Sequence, residues 1–342
     1  MGPSVGNQKV SAYLDLGSKP TVSSTGSGHG VIVSRSGTVP PERSAAGPSG
    51  PSEADGVTAG TVGIADIRSR DRRQVGACGR MRGMPSLTRL TGNVVVVSGA
   101  SRGIGKGLAL GLAAQGAAVV CAARSSRTGP GLLPGTVEDV ADEIVAAGGR
   151  AVPVRADIGV DADVHRMIAT ALDEFGRLDA LVNNAMTPTR ATFDALTLDQ
   201  WDQSWTINVR SLLVSCRAAV DAMTPTGGGS IVNVSSGAAD ARLPPEHLPP
   251  GYLAYSVAKA ALERFSTALA PEVAHRNVAV NAFRPGAVKT EMSVHELGED
   301  YDWSNWKEPA SVVPAVHCLV QQRADGITGR IVDVAGYGTT WG

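Results

Sequence analysis

Cysteine is scarce in this chain. Cys78, Cys121, Cys216 and Cys318 are scattered through 342 residues, with no C-x-x-C pair and no spacing that suits a metal. That pattern argues against a disulfide scaffold or a structural zinc site, and it points to reduced thiols in a cytoplasmic protein. Net charge is equally slight: 31 Lys and Arg against 32 Asp and Glu leave −1. No basic excess is available to hold nucleic acid or an anionic membrane surface. Long apolar runs are also missing. The longest, 108–123, is broken by Gln115 and by glycines, and it reads as a buried helix followed by a strand, not a membrane span. The N-terminus lacks the apolar core of a secretory signal, and no internal repeat is apparent.

What is present falls into two unlike parts. Residues 1–84 are rich in Gly, Ser and Pro without a sustained period, as in Ser23-Ser-Thr-Gly-Ser-Gly-His-Gly30. Such a segment buries too little apolar surface to offset its ordering entropy, so disorder is expected. Met84 opens a stretch that reads as a natural start, so 1–84 is either an over-extended gene start or a real regulatory tail. From residue 85 to 342 strand and helix patterns alternate. Strands are expected at Val94–Ser98, Ala117–Ala123, Arg150–Arg155, Leu178–Asn183, Ser230–Val234, Val278–Ala282 and Ile331–Val334. Near-continuous apolar strands separated by helices predict one α/β domain, a doubly wound and mostly parallel sheet covered on both faces.

Directly after the first strand comes Ser98-Gly99-Ala100-Ser101-Arg102-Gly103-Ile104-Gly105. Glycines there allow a tight turn and let the backbone approach a pyrophosphate, which then sits at a helix N-terminus. The motif's place, between a β-branched strand and a helix, is the context this mechanism requires. The second strand runs into Cys121-Ala122-Ala123-Arg124 and carries no Asp or Glu. A carboxylate at that place binds the ribose hydroxyl of NAD, whereas arginine accommodates the 2′-phosphate of NADP. Arg124, with Arg102 in the turn, therefore points to NADP(H) over NAD(H).

Tyr255 precedes Lys259 by one helical turn in Tyr-Ser-Val-Ala-Lys, and it is the one tyrosine of five with lysine at that offset. Residues i and i+4 share a helix face. An ammonium beside a phenol favours the phenolate, so the tyrosine is expected to titrate nearer neutrality and to move a proton at an alcohol or ketone. Taken alone, the pair could equally be a surface i,i+4 contact.

With these motifs together, residues 90–336 resemble a short-chain dehydrogenase/reductase. Ser98-Gly99-x-x-x-Gly103-x-Gly105 resembles the family's Thr-Gly-x-x-x-Gly-x-Gly, and Asn183-Asn184-Ala185 its Asn-Asn-Ala-Gly, with Met186 in place of the last glycine. The resemblance implies a Rossmann fold and a catalytic set of Asn208, Ser236, Tyr255 and Lys259, with Ser235 competing for the serine position. It implies a dinucleotide held by Gly99, Ser101, Arg102, Gly103, Ile104 and Gly105 in the turn. Arg124 would take the 2′-phosphate, Asp157 and Ile158 the adenine, and Asn184 would border the cofactor. Tyr255 and Lys259, and Pro285, Gly286, Val288 and Thr290 of Pro-Gly-Ala-Val-Lys-Thr, would lie at the nicotinamide end. Tyr255 would be the acid or base, Lys259 would depress its pKa, Ser236 would hold the substrate oxygen, and Asn208 would hold a water leading to Lys259. No metal is required.

The path from Ser236 to Tyr255 is longer than is usual in the family, and Leu243-Pro-Pro-Glu-His-Leu-Pro-Pro250 accounts for the excess. This insertion either shapes the substrate mouth or bulges outward. Residues 291–308 fall where the family carries a variable substrate lid, and Trp303 and Trp306 either face a substrate or pin that lid. The expected activity is interconversion of a secondary alcohol and a ketone, of the carbonyl or 3-oxoacyl reductase kind. The alternative is a catalytically idle NADP-binding scaffold or sensor. By resemblance a homodimer or homotetramer is expected, paired through the helices of Asn208 and Tyr255, acting on a small molecule and not on nucleic acid or membrane.

Overall fold

The structure is a computed structural model that describes residues 88–128 and 133–342. The expectation of disorder over 1–84 lies outside the described residues. The strands are β1 Val94–Ser98, β2 Ala118–Ala123, β3 Arg150–Arg155, β4 Ala180–Asn183, β5 Gly229–Val234, β6 Val278–Arg284 and β7 Ile331–Asp333. The helices are α1 Gly103–Ala114, α2 Val137–Ala146, α3 Asp161–Phe175, α4 Leu198–Trp205, α5 Ser211–Met223, α6 Leu253–Val273, α7 Glu291–Leu297 and α8 Val313–Val320.

All seven strands pair in parallel, in the order β3-β2-β1-β4-β5-β6-β7. The chain leaves β1 in one direction to build β2 and β3, then returns to place β4 on the other side of β1. That reversal opens a crevice at the carboxyl ends of β1 and β4, the place where doubly wound sheets bind ligands.

Side-chain alternation along the strands explains the two-faced core. In β1, Val95 and Val97 pack with Leu108 and Leu112 of α1 and Leu319 of α8. Val94 and Val96 point the other way, with Val164 and Met167 of α3 and Met223 of α5. Period-two residues must part in this way, so a strand buried on both faces needs apolar residues throughout. Each buried Val or Leu contributes about 1.5–3 kcal/mol.

Local chemistry sets the helix ends. Thr136 caps α2, its hydroxyl accepting from Asp139 N–H. Thr197 and Gln200 form a reciprocal capping box at α4, and Gly176, with φ of +76°, ends α3. Between α4 and α5 a π-helical turn, Thr206–Arg210, adds a residue to the spiral. It carries Asn208, and such bulges re-aim a side chain out of a helix's regular spacing.

Candidate active site

The glycine turn is built by close approach. Gly99 and Gly103 have φ of +69° and +54°, in the left-handed region that favours glycine. A Cβ on Gly105 would collide with the Gly99 carbonyl oxygen. The Asn184 amide closes the turn from β4: its Nδ2 donates to Ser98 O at 3.0 Å, while Asn184 N–H donates to the Ser98 hydroxyl at 3.0 Å. Ser98 and Asn184 thus lock the ends of β1 and β4 together. Ser101 is buried beside them.

Gly103 N–H, the first of α1, donates to Glu291 Oε2 at 2.8 Å. A carboxylate from the start of α7 therefore takes the position on the helix terminus that favours an anion. Arg102 donates to Ser125 Oγ at 2.6 Å and to Gly135 O at 3.1 Å, and its buried Nε finds no partner among the described residues. Burial lowers the Arg102 pKa, Glu291 opposes that, and Arg124 adds a lowering of its own. A guanidinium disfavoured by burial and by a second cation makes a place where added negative charge is welcome. Arg124 lines a cleft of about 650 Å³ with Arg155, Asp157 and Arg166. Asp157 accepts from Gly159 N–H at 2.9 Å, which fixes the turn after β3.

The second half of the site rests on α6. Tyr255 and Lys259 point from one face of that helix toward the ends of β5 and β6, 8% and 3% exposed. Ser236, just past β5, faces the phenol and favours its ionised form. Ser235 is committed elsewhere, donating to Glu263 Oε1 at 2.7 Å. Lys259 Nζ donates to Val234 O at 2.7 Å and lies 5.9 Å from the Tyr255 ring centroid.

The electrostatics differ from the sequence expectation. Burial pushes the Tyr255 phenol up, and the groups that oppose burial are Ser236 and then Arg190. Lys259 is itself pulled down to about 8 by burial. Burial thus opposes both charged forms, the phenolate and the ammonium. Spacing along a helix could not foretell that depth.

The Asn208 amide is fully engaged: Oδ1 accepts from Thr187 N–H at 3.0 Å, and Nδ2 donates to Thr187 O at 3.1 Å and to Ser204 Oγ at 3.2 Å. Asn208, Ile158 and Lys259 line one enclosed cavity of about 10 Å³, about the room one water needs.

The Pro285–Thr290 segment reaches across to the glycine turn. Gly286 has φ of +73°, and Val288 is buried and bridges Lys307. Thr290 caps α7, and a Cβ on Gly103 would lie 3.1 Å from its methyl group. Gly103 and Thr290 therefore meet, with Ile104 packed behind them on the core.

The proline-rich insertion ends against the mouth of the site, where Ala191 N–H donates to Gly251 O at 3.2 Å. In the lid segment, Trp303 and Trp306 pack on each other at 5.0 Å and both meet Tyr301. The Lys289 ammonium also lies 5.2 Å from the Trp303 ring centroid, so the tryptophans pack the segment on itself and against the strand-like stretch before it.

Sequence reasoning missed Arg190 and Glu296. The Arg190 guanidinium sits 3.8 Å from the Tyr252 ring centroid and 5.0 Å from that of Tyr255, and it pairs with Glu296 at 3.4 Å. No spacing rule links residues so far apart in the chain.

A doubly wound sheet with a glycine turn at its switch point and a buried tyrosine–lysine pair opposite defines the class of nicotinamide-dinucleotide oxidoreductases. Comparison narrows the class. A family model described as short chain dehydrogenase matches residues 93–300. A 3-oxoacyl-[acyl-carrier-protein] reductase of Synechocystis is 33% identical over 255 residues, which is 73% of this chain and 98% of that protein. A short-chain dehydrogenase of Burkholderia cenocepacia, solved in complex with NADP, has a TM-score of 0.61 at 30% identity, covering 72% of this chain and 97% of that one. A 7α-hydroxysteroid dehydrogenase complexed with NADH and 7-oxo glycochenodeoxycholic acid has a TM-score of 0.64 at 25% identity, covering 75% and 98%. The chain belongs to the short-chain dehydrogenase family and is an NAD(P)-dependent dehydrogenase or reductase. No helix among the described residues is long and apolar enough to cross a membrane.

Proposed function

We propose that the chain is an NADP(H)-dependent oxidoreductase that interconverts a secondary alcohol and a ketone, with Tyr255 as acid and base. One observation carries the reading: the buried Tyr255 phenol is faced by Ser236 and shares its helix face with Lys259. In reduction the phenol donates its proton to the carbonyl oxygen. In oxidation the phenolate takes the alcohol's proton. Ser236 donates a hydrogen bond to the same oxygen, where negative charge builds in the transition state. Lys259, anchored on Val234 O, orients the nicotinamide end, and Asn208 lines the water-sized space beside it. A bound nicotinamide supplies or accepts the hydride.

The residues fit that cofactor. The Gly99–Gly105 turn has room for no side chain at Gly105, and its helix N-terminus already holds a carboxylate as a stand-in anion. Gly103, Ile104 and Ser101 would border the pyrophosphate, Asp157 and Ile158 the adenine, and Asn184, Pro285, Gly286, Val288 and Thr290 the nicotinamide. Arg102 and Arg124 would hold the 2′-phosphate. A charged hydrogen bond contributes about 1.5–3 kcal/mol, so Arg124→Ser is expected to weaken NADPH binding by roughly ten- to a hundredfold and to leave NADH nearly unchanged. Fluorescence titration with both nucleotides measures this. Equal affinity of the wild type for NADH and NADPH overturns the NADP assignment.

A homo-oligomer is part of the same reading. Leu213 of α5 and Leu253 and Val257 of α6 are exposed apolar residues, suited to burial against a second copy. Light scattering on the native protein is expected to give a multiple of 35.1 kDa; a monomeric mass sinks this part alone.

A further inference from the structure

We propose that Arg190 is a positioning residue for the acid–base step: its guanidinium, docked over Tyr252 and beside Tyr255, governs the ionisation of the Tyr255 phenol, and Glu296 attenuates it from α7. This rests on the reading of Tyr255 as acid and base given above.

The geometry is built, not incidental. Arg190 stands in the loop between β4 and α4, and that loop is pinned twice. Asn208 binds Thr187 through both amide atoms, and Ala191 N–H holds Gly251 O at 3.2 Å. The guanidinium then lies 3.8 Å from one tyrosine ring and 5.0 Å from the other, and the two rings meet edge to face at 5.9 Å. A planar guanidinium over aromatic faces is held without a long chain's freedom.

Among the described residues, the polar and charged groups facing the phenol come from four elements. From α6 come Tyr252 and Lys259; from the turn after β5 comes Ser236; from the loop after β4 comes Arg190; from α7 comes Glu296. Arg190 brings a cation to the phenol's side of the site from outside α6, where it favours the phenolate, and Glu296, whose charge opposes the phenolate, is the counterweight.

The pairing of Arg190 with Glu296 also ties the tuning to the lid, since α7 carries the carboxylate. A lid that shifts away leaves the guanidinium's charge undivided on the phenol.

The test titrates the full-length protein without substrate, using ¹³Cζ-labelled tyrosine and NMR, with Tyr255→Phe to assign the resonance. Arg190→Gln is expected to delay ionisation of Tyr255 by about half a pH unit or more, a roughly threefold or larger change in its ionisation constant. Arg190→Lys is expected to stay near wild type, and Glu296→Gln to ionise earlier. Opposite shifts from two ends of one ion pair are not what misfolding produces. Coincident titrations, an earlier ionisation in Arg190→Gln, or a wild-type phenol that stays protonated until the chain unfolds in alkali each overturn the proposal. Turnover is not involved, so the acid–base reading and this tuning can fail separately.

Discussion

Turnover falls by about 10²–10⁴-fold when Tyr255 is replaced by phenylalanine, the range that one positioned proton donor contributes. The variant removes a single oxygen. Its ring keeps the edge-to-face contact with Tyr252 and the guanidinium beside it, so folding is expected to survive. NADPH affinity is expected to change little, since the turn at Gly99 to Gly105 and the arginines are untouched. The measurement is a screen of alcohols and ketones with both nucleotides, followed by kcat, nucleotide affinity and melting temperature for the pair of proteins. Undiminished kcat in Tyr255→Phe removes the phenol from the mechanism. A wild type that binds NADPH but turns over nothing in the screen favours the scaffold reading instead.

Breaking the buried ion pair under α6 is expected to cost about 3–5 kcal/mol of stability, a large part of the 5–15 kcal/mol that holds a typical domain together. Arg284 donates to Glu263 through Nε at 2.6 Å and Nη2 at 2.8 Å, and both residues are buried. Ser235 donates to the same carboxylate, and Arg284 Nη1 reaches Asp240 at 2.9 Å. Glu263→Ala strands a guanidinium in the core with one carboxylate partner fewer. The double variant Glu263→Gln, Arg284→Met, which leaves no charge unpaired between them, is expected to recover much of the loss. Urea unfolding compares the three, and a loss below about 1 kcal/mol in Glu263→Ala refutes the argument. The hydrogen bonds to Arg242 and then to Arg284 hold the Asp240 carboxyl well below the usual carboxylate range. Its contribution is complete above the unfolded value of about 3.9 and is withdrawn as pH falls below it, so acid should weaken this corner of the fold.

That ion pair also explains why the tyrosine–lysine motif works as a unit. Tyr255, Lys259 and Glu263 follow at successive i+4 steps, one stripe of α6 turned toward the sheet. The acid anchors the lower end of the stripe on β6, and the rotation it fixes presents the phenol above. The first two members of the stripe were legible in the sequence and the third was not, because its partner Arg284 comes from another element.

Legibility followed locality throughout. The apolar run of β1 gives its boundaries directly, since burial on both faces requires it. The strand read from Leu178 instead begins at Ala180, after Asp179 has turned its side chain to Val94 N–H and Arg177. The glycine turn was readable because its constraint is the chain's own close approach. Asn208 was readable by position but not by setting, because nothing in Thr-Ile-Asn-Val announces a π turn. The ionisation of the phenol was unreadable: it depends on burial and on Arg190, whose counter-ion Glu296 lies 106 positions away.

Glu291 leaves a consequence at the other end of the site. Its carboxylate is tethered to the chain that carries the Gly103 N–H it occupies, so it competes for that terminus at a high effective concentration that dilution cannot lower. On the proposed reading, loading a dinucleotide here is thus an exchange of anions, and its affinity is a difference between two ligands, one soluble and one built in. The evicted carboxylate begins α7, so what leaves the phosphate site is also the first residue of the lid helix.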